Sequence, residues 1–164
     1  ILLNNEMDDF SAKPGVANAY GLLGGKRNAI EPNKRMLSSM TPTLLFKGKS
    51  HLVATGSPGG SRIITTVLQI VCNLVDHGMD IAEATAAARF HHQWFPDEVQ
   101  VEPGFNPGTI TSLRTRSHTV KTRSLMGSTQ SVARINGRFF GASDPRRQGA
   151  LTIGLNGQEK KARP

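Results

Sequence analysis

With 164 residues, 37% of them hydrophobic, and with 17 glycines and 9 prolines, the chain is long enough for one sizeable core and reads as globular but loop-rich, neither disordered nor membrane-spanning. Its net charge of +8 is wholly C-terminal, because residues 1–100 carry nine Lys/Arg against nine Asp/Glu and residues 101–164 carry eleven against three; with a single Trp and a single Tyr there is no stacking platform for single strands, and no nucleic-acid partner is expected. One cysteine, Cys72, excludes an intrachain disulfide or a thiolate metal cluster, and the longest apolar run, residues 63–75, is broken by Thr, Gln and Asn and is too short to cross a bilayer.

The chain opens on "ILL", read as the end of a strand, and shows no basic n-region or cleavage motif. An acidic cluster of Glu6, Asp8 and Asp9 follows. Residues 11–35 are rich in Gly, Pro, Asn and Ala and keep neither a period of 2 nor one of 3.6, so they read as a long loop of the kind that forms lids. Two short apolar runs around Lys47, Gly48 and Lys49 predict a β-hairpin. After Pro58, Gly59 and Gly60 the apolar positions become 63, 64, 67, 68, 70, 71, 74 and 75, the spacing of a strongly buried helix with Ser61 as N-cap, Cys72 buried within it and Gly78 as its stop. Asp80 and Glu83 predict a capping box opening a second helix over residues 81–90. "VQVEP" reads as a strand, Asn106 followed by Pro107 opens a short helix, and Asn136 with Gly137 marks a type I′ hairpin between two alternating runs. Helices in the middle flanked by hairpins give an α+β layout with antiparallel sheet.

Four features bear on chemistry. A Gly-Gly pair between a strand and a helix lets backbone approach a ligand and points free N–H groups at it, which suits an anion or a developing oxyanion; the alternative is a tight turn that needs positive φ. Ser38 and Ser39 offer two adjacent hydroxyl donors for a carboxylate, or simply open the next strand. Glu6, Asp8 and Asp9 suit a substrate ammonium, or form a solvated turn. Ser57 misses the G-x-S-x-G nucleophile elbow because position 55 is Thr. The five histidines lack metal-ligand spacing, and no cofactor motif is present, so neither metal nor cofactor is expected.

"NNEMDDF", "PNKRMLSSMTPT", "GSPGGSR", "ARFHHQW" and "GASDPRR" occur in the order and spacing of the small subunit of γ-glutamyltransferases, and the chain resembles the bacterial branch of that family from Ile1 to about Arg147. The resemblance implies an N-terminal-nucleophile hydrolase fold, a four-layer αββα sandwich of which this chain covers part, cut with a large subunit from one precursor. It implies γ-glutamyl transfer from glutathione and related amides to water, an amino acid or a peptide, in a periplasmic or secreted setting. Matched by motif, Glu6 and Asp9 hold the α-amino group, Ser38 and Ser39 the α-carboxylate, and the N–H groups of Gly59 and Gly60 form the oxyanion hole. Residues 14–25 match the lid, with Tyr20 as its covering aromatic, and residues 148–164 form a divergent basic tail. The family's nucleophilic Thr falls upstream of Ile1, so residues 1–164 alone are expected to be inactive. The rival readings are a β-lactam side-chain acylase on the same fold and a non-catalytic fragment that binds through its basic C-terminal third.

Overall fold

The computed structural model describes residues 6–154. The strand end expected at "ILL" and residues 155–164 of the basic tail lie outside them. Hairpin β1 (Thr43–Lys47) and β2 (His51–Gly56) pairs through β2 with β6 (Gln130–Ile135), which turns into β7 (Arg138–Ser143), giving an antiparallel sheet in the order β1-β2-β6-β7. Both turns follow local chemistry, and Asn136 and Gly137 take φ of 50° and 82°, as a type I′ turn requires.

Two helices, α1 (Arg62–Val75) and α2 (Ile81–Ala86), lie on one face of this sheet, where Thr55, Ser131, Ala133 and Ala142 point inward. Beside them lies a smaller sheet of β3 (Phe90–His91), β4 (Val99–Val101) and β5 (Val120–Thr122). Among the described residues the expected antiparallel sheet holds in every strand pairing but one: β4 and β5 run parallel, because α3 (Pro107–Thr115) carries the chain back between them. Asn106 caps α3 by accepting from the Thr109 N–H at 3.0 Å, with Pro107 behind it, as expected.

Three further expectations change. Only Thr66, Val67 and Ile70 of α1 are buried, while Leu68 and Val75 are 57% and 65% exposed, and Cys72 is only partly covered. Periodicity marks an apolar face, but the neighbours that cover it have to come from elsewhere. Ser61 stands at the N-cap position without capping, since its Oγ donates instead to Gln93 Oε1 at 2.8 Å. The second helix starts on the expected capping box but ends at Ala86, not residue 90. Its last carbonyls are taken by guanidinium groups, Thr85 O by Arg89 and Arg146 and Ala87 O by Arg146, so the chain is free to leave the helix and pair Phe90 and His91 with β4.

The outer face of the four-stranded sheet carries Leu44, Phe46, Val132 and Phe139, with Phe46 69% and Phe139 74% exposed. An apolar sheet face of this kind is what face-to-face packing of two sheets buries.

Glu98, immediately before β4, is buried and takes Lys121 Nζ at 2.6 Å and Arg123 at 2.7 Å, tying β4 to the β5 side. These hydrogen bonds bring its pKa down from 4.5 to about 2 against the opposing effect of burial. A carboxylate depressed in the folded state contributes stability above its unfolded pKa, and that contribution is lost as pH falls from 4.5 towards about 2. Glu98→Gln is therefore expected to flatten the fall of Tm across that acid window. The effect should be at most about 1 kcal/mol, because both cations are about half exposed and well screened. An acid melting profile identical to that of the parent would remove Glu98 from this role.

Candidate active site

The centre of the site is the turn from β2 into α1. Gly59 has φ of 141° and Gly60 φ of 57°, conformations that favour glycine. Their carbonyls accept from the N–H groups of Arg62 and Ile63 in the first turn of the helix. Among the described residues, neither the Gly59 nor the Gly60 N–H has an acceptor. Two free donors at the positive end of a 14-residue helix attract negative charge.

This turn is backed by residues 126–129. Gly127, at φ of 68°, passes so close that a Cβ there would lie 2.7 Å from Ser57 Oγ, and Ser128 N–H donates to that same Oγ at 3.0 Å. Ser57 is thus a structural hydroxyl, donating in turn to Pro58 O. Residues 126–129 are held by a buried ion cluster. Arg89 donates to Met126 O at 2.7 Å and pairs with Asp144 at 2.7 Å. Arg146 pairs with Glu102 at 2.6 Å and Asp144 at 3.1 Å. Asp144 also accepts from Thr129 N–H, and Glu102 from Met126 N–H. Burial pushes the Glu102 and Asp144 carboxyls up, yet the guanidinium groups and backbone amides hold both below their ordinary values.

Over the turn lies Tyr20. A Cβ built on Gly60 would fall 2.5 Å from Cζ of the Tyr20 ring, so ring and glycine are in direct contact and only the absence of a side chain at residue 60 permits it. The loop carrying Tyr20 is organised by Asn18, whose Oδ1 accepts from the N–H groups of Tyr20 and Leu22. It encloses, with the acidic segment, a cleft of about 460 Å³ lined by Asp9, Tyr20, Asn28 and Leu37 among others.

Glu6 stands at the N-cap position of a 3-10 turn (Met7–Asp9) that ends at Asp9, with Asp9 N–H donating to Glu6 O at 3.1 Å. Asn28 joins this segment to the serines: its Nδ2 donates to Asp9 O at 2.6 Å and its Oδ1 accepts from Leu37 N–H at 2.9 Å. Ser38 and Ser39 follow directly, and Ser38 Oγ accepts from Met40 N–H at 3.3 Å, leaving its own proton to donate. Asp9 and Tyr20 thus share the cleft, whereas Glu6, Ser38, Ser39, Gly59 and Gly60 do not line it. Asn28, Gly127 and the ion cluster have no role in the sequence reading. Arg89, Asp144 and Arg146 belong to two of the quoted motifs, and that was their only signal.

Residues 1–154 match the family model described as gamma-glutamyltranspeptidase. The chain is 61% identical over 156 residues to a glutathione hydrolase proenzyme of Escherichia coli, covering 94% of this chain, and 43% identical to one from Pseudomonas aeruginosa, covering 90%. It spans 27% of the length of each of these curated relatives. A crystal structure of a Helicobacter pylori gamma-glutamyltranspeptidase mutant superposes with a TM-score of 0.81 at 47% identity, over 89% of this chain and 81% of that one. The Pseudomonas nitroreducens gamma-glutamyltranspeptidase complexed with L-DON gives 0.80 at 41%, over 94% and 82%.

Proposed function

Since the chain belongs to the γ-glutamyltranspeptidase family, we propose that it supplies the donor-binding wall and oxyanion hole of an enzyme that transfers the γ-glutamyl group of glutathione and related amides to water or an amine acceptor. The observation that carries this reading is the pair of N–H groups at Gly59 and Gly60 that have no acceptor among the described residues, opening α1 beneath Tyr20. A hydroxyl nucleophile attacking the γ-carbonyl turns its oxygen into an oxyanion, and two preorganised donors stabilise that charge. The nucleophilic Thr, by the family pattern, comes from the remainder of the precursor, as does the large subunit. The amine then leaves, and water or an acceptor amine releases the glutamyl group from the ester.

At the other end of the substrate, Glu6 and Asp9 take the α-ammonium, and the Ser38 and Ser39 hydroxyls take the α-carboxylate. Asn28, by bonding both Asp9 O and Leu37 N–H, fixes the spacing between these subsites. Tyr20 closes over the head once it is seated. The apolar outer face of the four-stranded sheet is proposed to pack on the second sheet of the sandwich, formed by the rest of the precursor. The setting proposed is periplasmic or secreted; among the described residues no helix is long and apolar enough to cross a membrane.

The test uses the intact source protein and a chromogenic γ-glutamyl anilide. Asp9→Ala is expected to raise KM by about tenfold to a hundredfold, the loss of one charge-assisted contact, with the fold unchanged by circular dichroism. Unchanged KM and kcat would remove Asp9 from the ammonium site.

A further inference from the structure

Gln93 lies half-buried just after β3, and its side-chain amide has every hydrogen-bonding position filled. Nε2 donates to Tyr20 O at 2.8 Å and to Phe95 O at 3.1 Å. Oε1 accepts from Ser61 Oγ at 2.8 Å and faces His91 Nε2 at 2.9 Å. The two carbonyls accept only, so they fix the amide's orientation and leave its oxygen towards Ser61 and His91. Gln93 Oε1 only accepts, so the His91 proton that faces it sits on Nε2, while Nδ1 lies 2.8 Å from Thr65 Oγ1; burial pushes the His91 pKa down. One amide thus joins the lid, β3 and the residue next to Gly60. Among the described residues, the Gln93 bond to Tyr20 O is the only hydrogen bond from residues 16–23 to an element outside the loop. The two residues it bonds on either side, Tyr20 through its carbonyl and Ser61 through its hydroxyl, flank the direct contact between the Tyr20 ring and Gly60.

We infer that Gln93 is a positioning residue that latches the Tyr20 lid onto the start of α1, so that the covering ring and the oxyanion turn are set by the same side chain. The inference rests on the site proposed above. Its direct consequence is for substrate retention: without the donor to Tyr20 O, the ring no longer holds its place over Gly60, and the bound glutamyl head escapes more readily.

Gln93→Glu is the sharpest probe. It keeps the shape and the acceptor for Ser61 and His91 but sets a carboxylate oxygen against the carbonyls of Tyr20 and Phe95. In the intact protein, KM for a γ-glutamyl anilide is expected to rise about fivefold to tenfold, the range of one or two net hydrogen bonds, with kcat within about twofold. Because the effect runs through Tyr20, Gln93→Glu added to Tyr20→Ala should worsen KM by less than about twofold, whereas independent effects would multiply. Hydrogen exchange gives a readout free of activity: peptides covering residues 13–26 should exchange at least about fivefold faster, and those of α1 should not change. If Gln93→Glu does not accumulate folded, Gln93→Met removes both donors without a charge; because it also removes the acceptor of Ser61 and His91, it is read by lid exchange and by the double variant with Tyr20→Ala, not by kcat. Lid exchange equal to wild type, or KM effects that multiply, would overturn the latch. A wild-type protein without γ-glutamyl activity would defeat the proposed function instead, and the exchange measurement would still decide the latch.

Discussion

Gly60→Ala in the intact protein is expected to lower kcat towards a γ-glutamyl anilide by about a hundredfold while leaving the fold in place. The substitution keeps the N–H, so the loss has to come from where that N–H points. At φ of 57° an alanine is strained by about 1–2 kcal/mol, and its Cβ would fall 2.5 Å from the Tyr20 ring. The ring is the free end of a side chain and moves aside; the backbone relaxes towards negative φ and turns the amide away. A displacement of about 1 Å at an oxyanion donor is enough for a loss of this size. The two routes separate in a double variant. On a Tyr20→Ala background the clash is absent, so whatever loss Gly60→Ala still causes belongs to the backbone. Gly59→Ala complements it, since the nearest atoms to a Cβ there lie at 3.7 Å and only the φ of 141° resists. Wild-type kcat in Gly60→Ala would remove the oxyanion assignment.

What could be read from the sequence was what neighbours in the chain decide. The Asn136 and Gly137 turn, the capping box of Asp80 and Glu83 and the Asn106 cap each place donor and acceptor within a few residues, and each stands where it was expected. The end of α2 was not legible, because its carbonyls are satisfied by Arg89 and by Arg146, which comes 60 residues after them. Nor was the exposure of α1, which depends on partners rather than on period. The site divides in the same way. Charged and hydroxyl residues in short motifs, Asp9 and Ser38 above all, announce a zwitterionic head group. Asn28 and Gln93 are neutral amides in a loop and beside a short strand; Asn28 carries no signal along the chain, and Gln93 only its place in the quoted motif "ARFHHQW". Their meaning comes from bonds to residues 9, 19 and 73 positions away.

Asp144→Ala is expected to destabilise the intact protein by about 3–5 kcal/mol, the cost of stranding a buried charge. Asp144 is fully buried and Arg89 nearly so, at 0% and 2% side-chain exposure, and they are 2.7 Å apart. With Arg146 and Glu102 they form a cluster of two cations and two anions whose charges balance. Removing Asp144 leaves two guanidinium groups facing one carboxylate and takes the acceptor from Thr129 N–H. Residues 126–129 lose an anchor, and with them the close passage of Gly127 over Ser57 that backs the oxyanion turn. Loss of kcat should therefore accompany loss of stability. Because both carboxyls are held below their ordinary values in the folded state, acid should act in the same direction: their contribution is present above the unfolded carboxylate range and disappears as pH falls through the depressed folded values. The paired substitution Arg89→Met with Asp144→Leu removes the charges together and is expected to recover most of the stability, as buried pairs commonly do when replaced by apolar groups. It should not recover kcat, since methionine cannot donate to Met126 O and leucine cannot accept from Thr129 N–H. Urea unfolding of the three proteins measures the first expectation and turnover the second. An unchanged unfolding midpoint in Asp144→Ala would mean that this cluster does not hold the loop beneath the active-site turn.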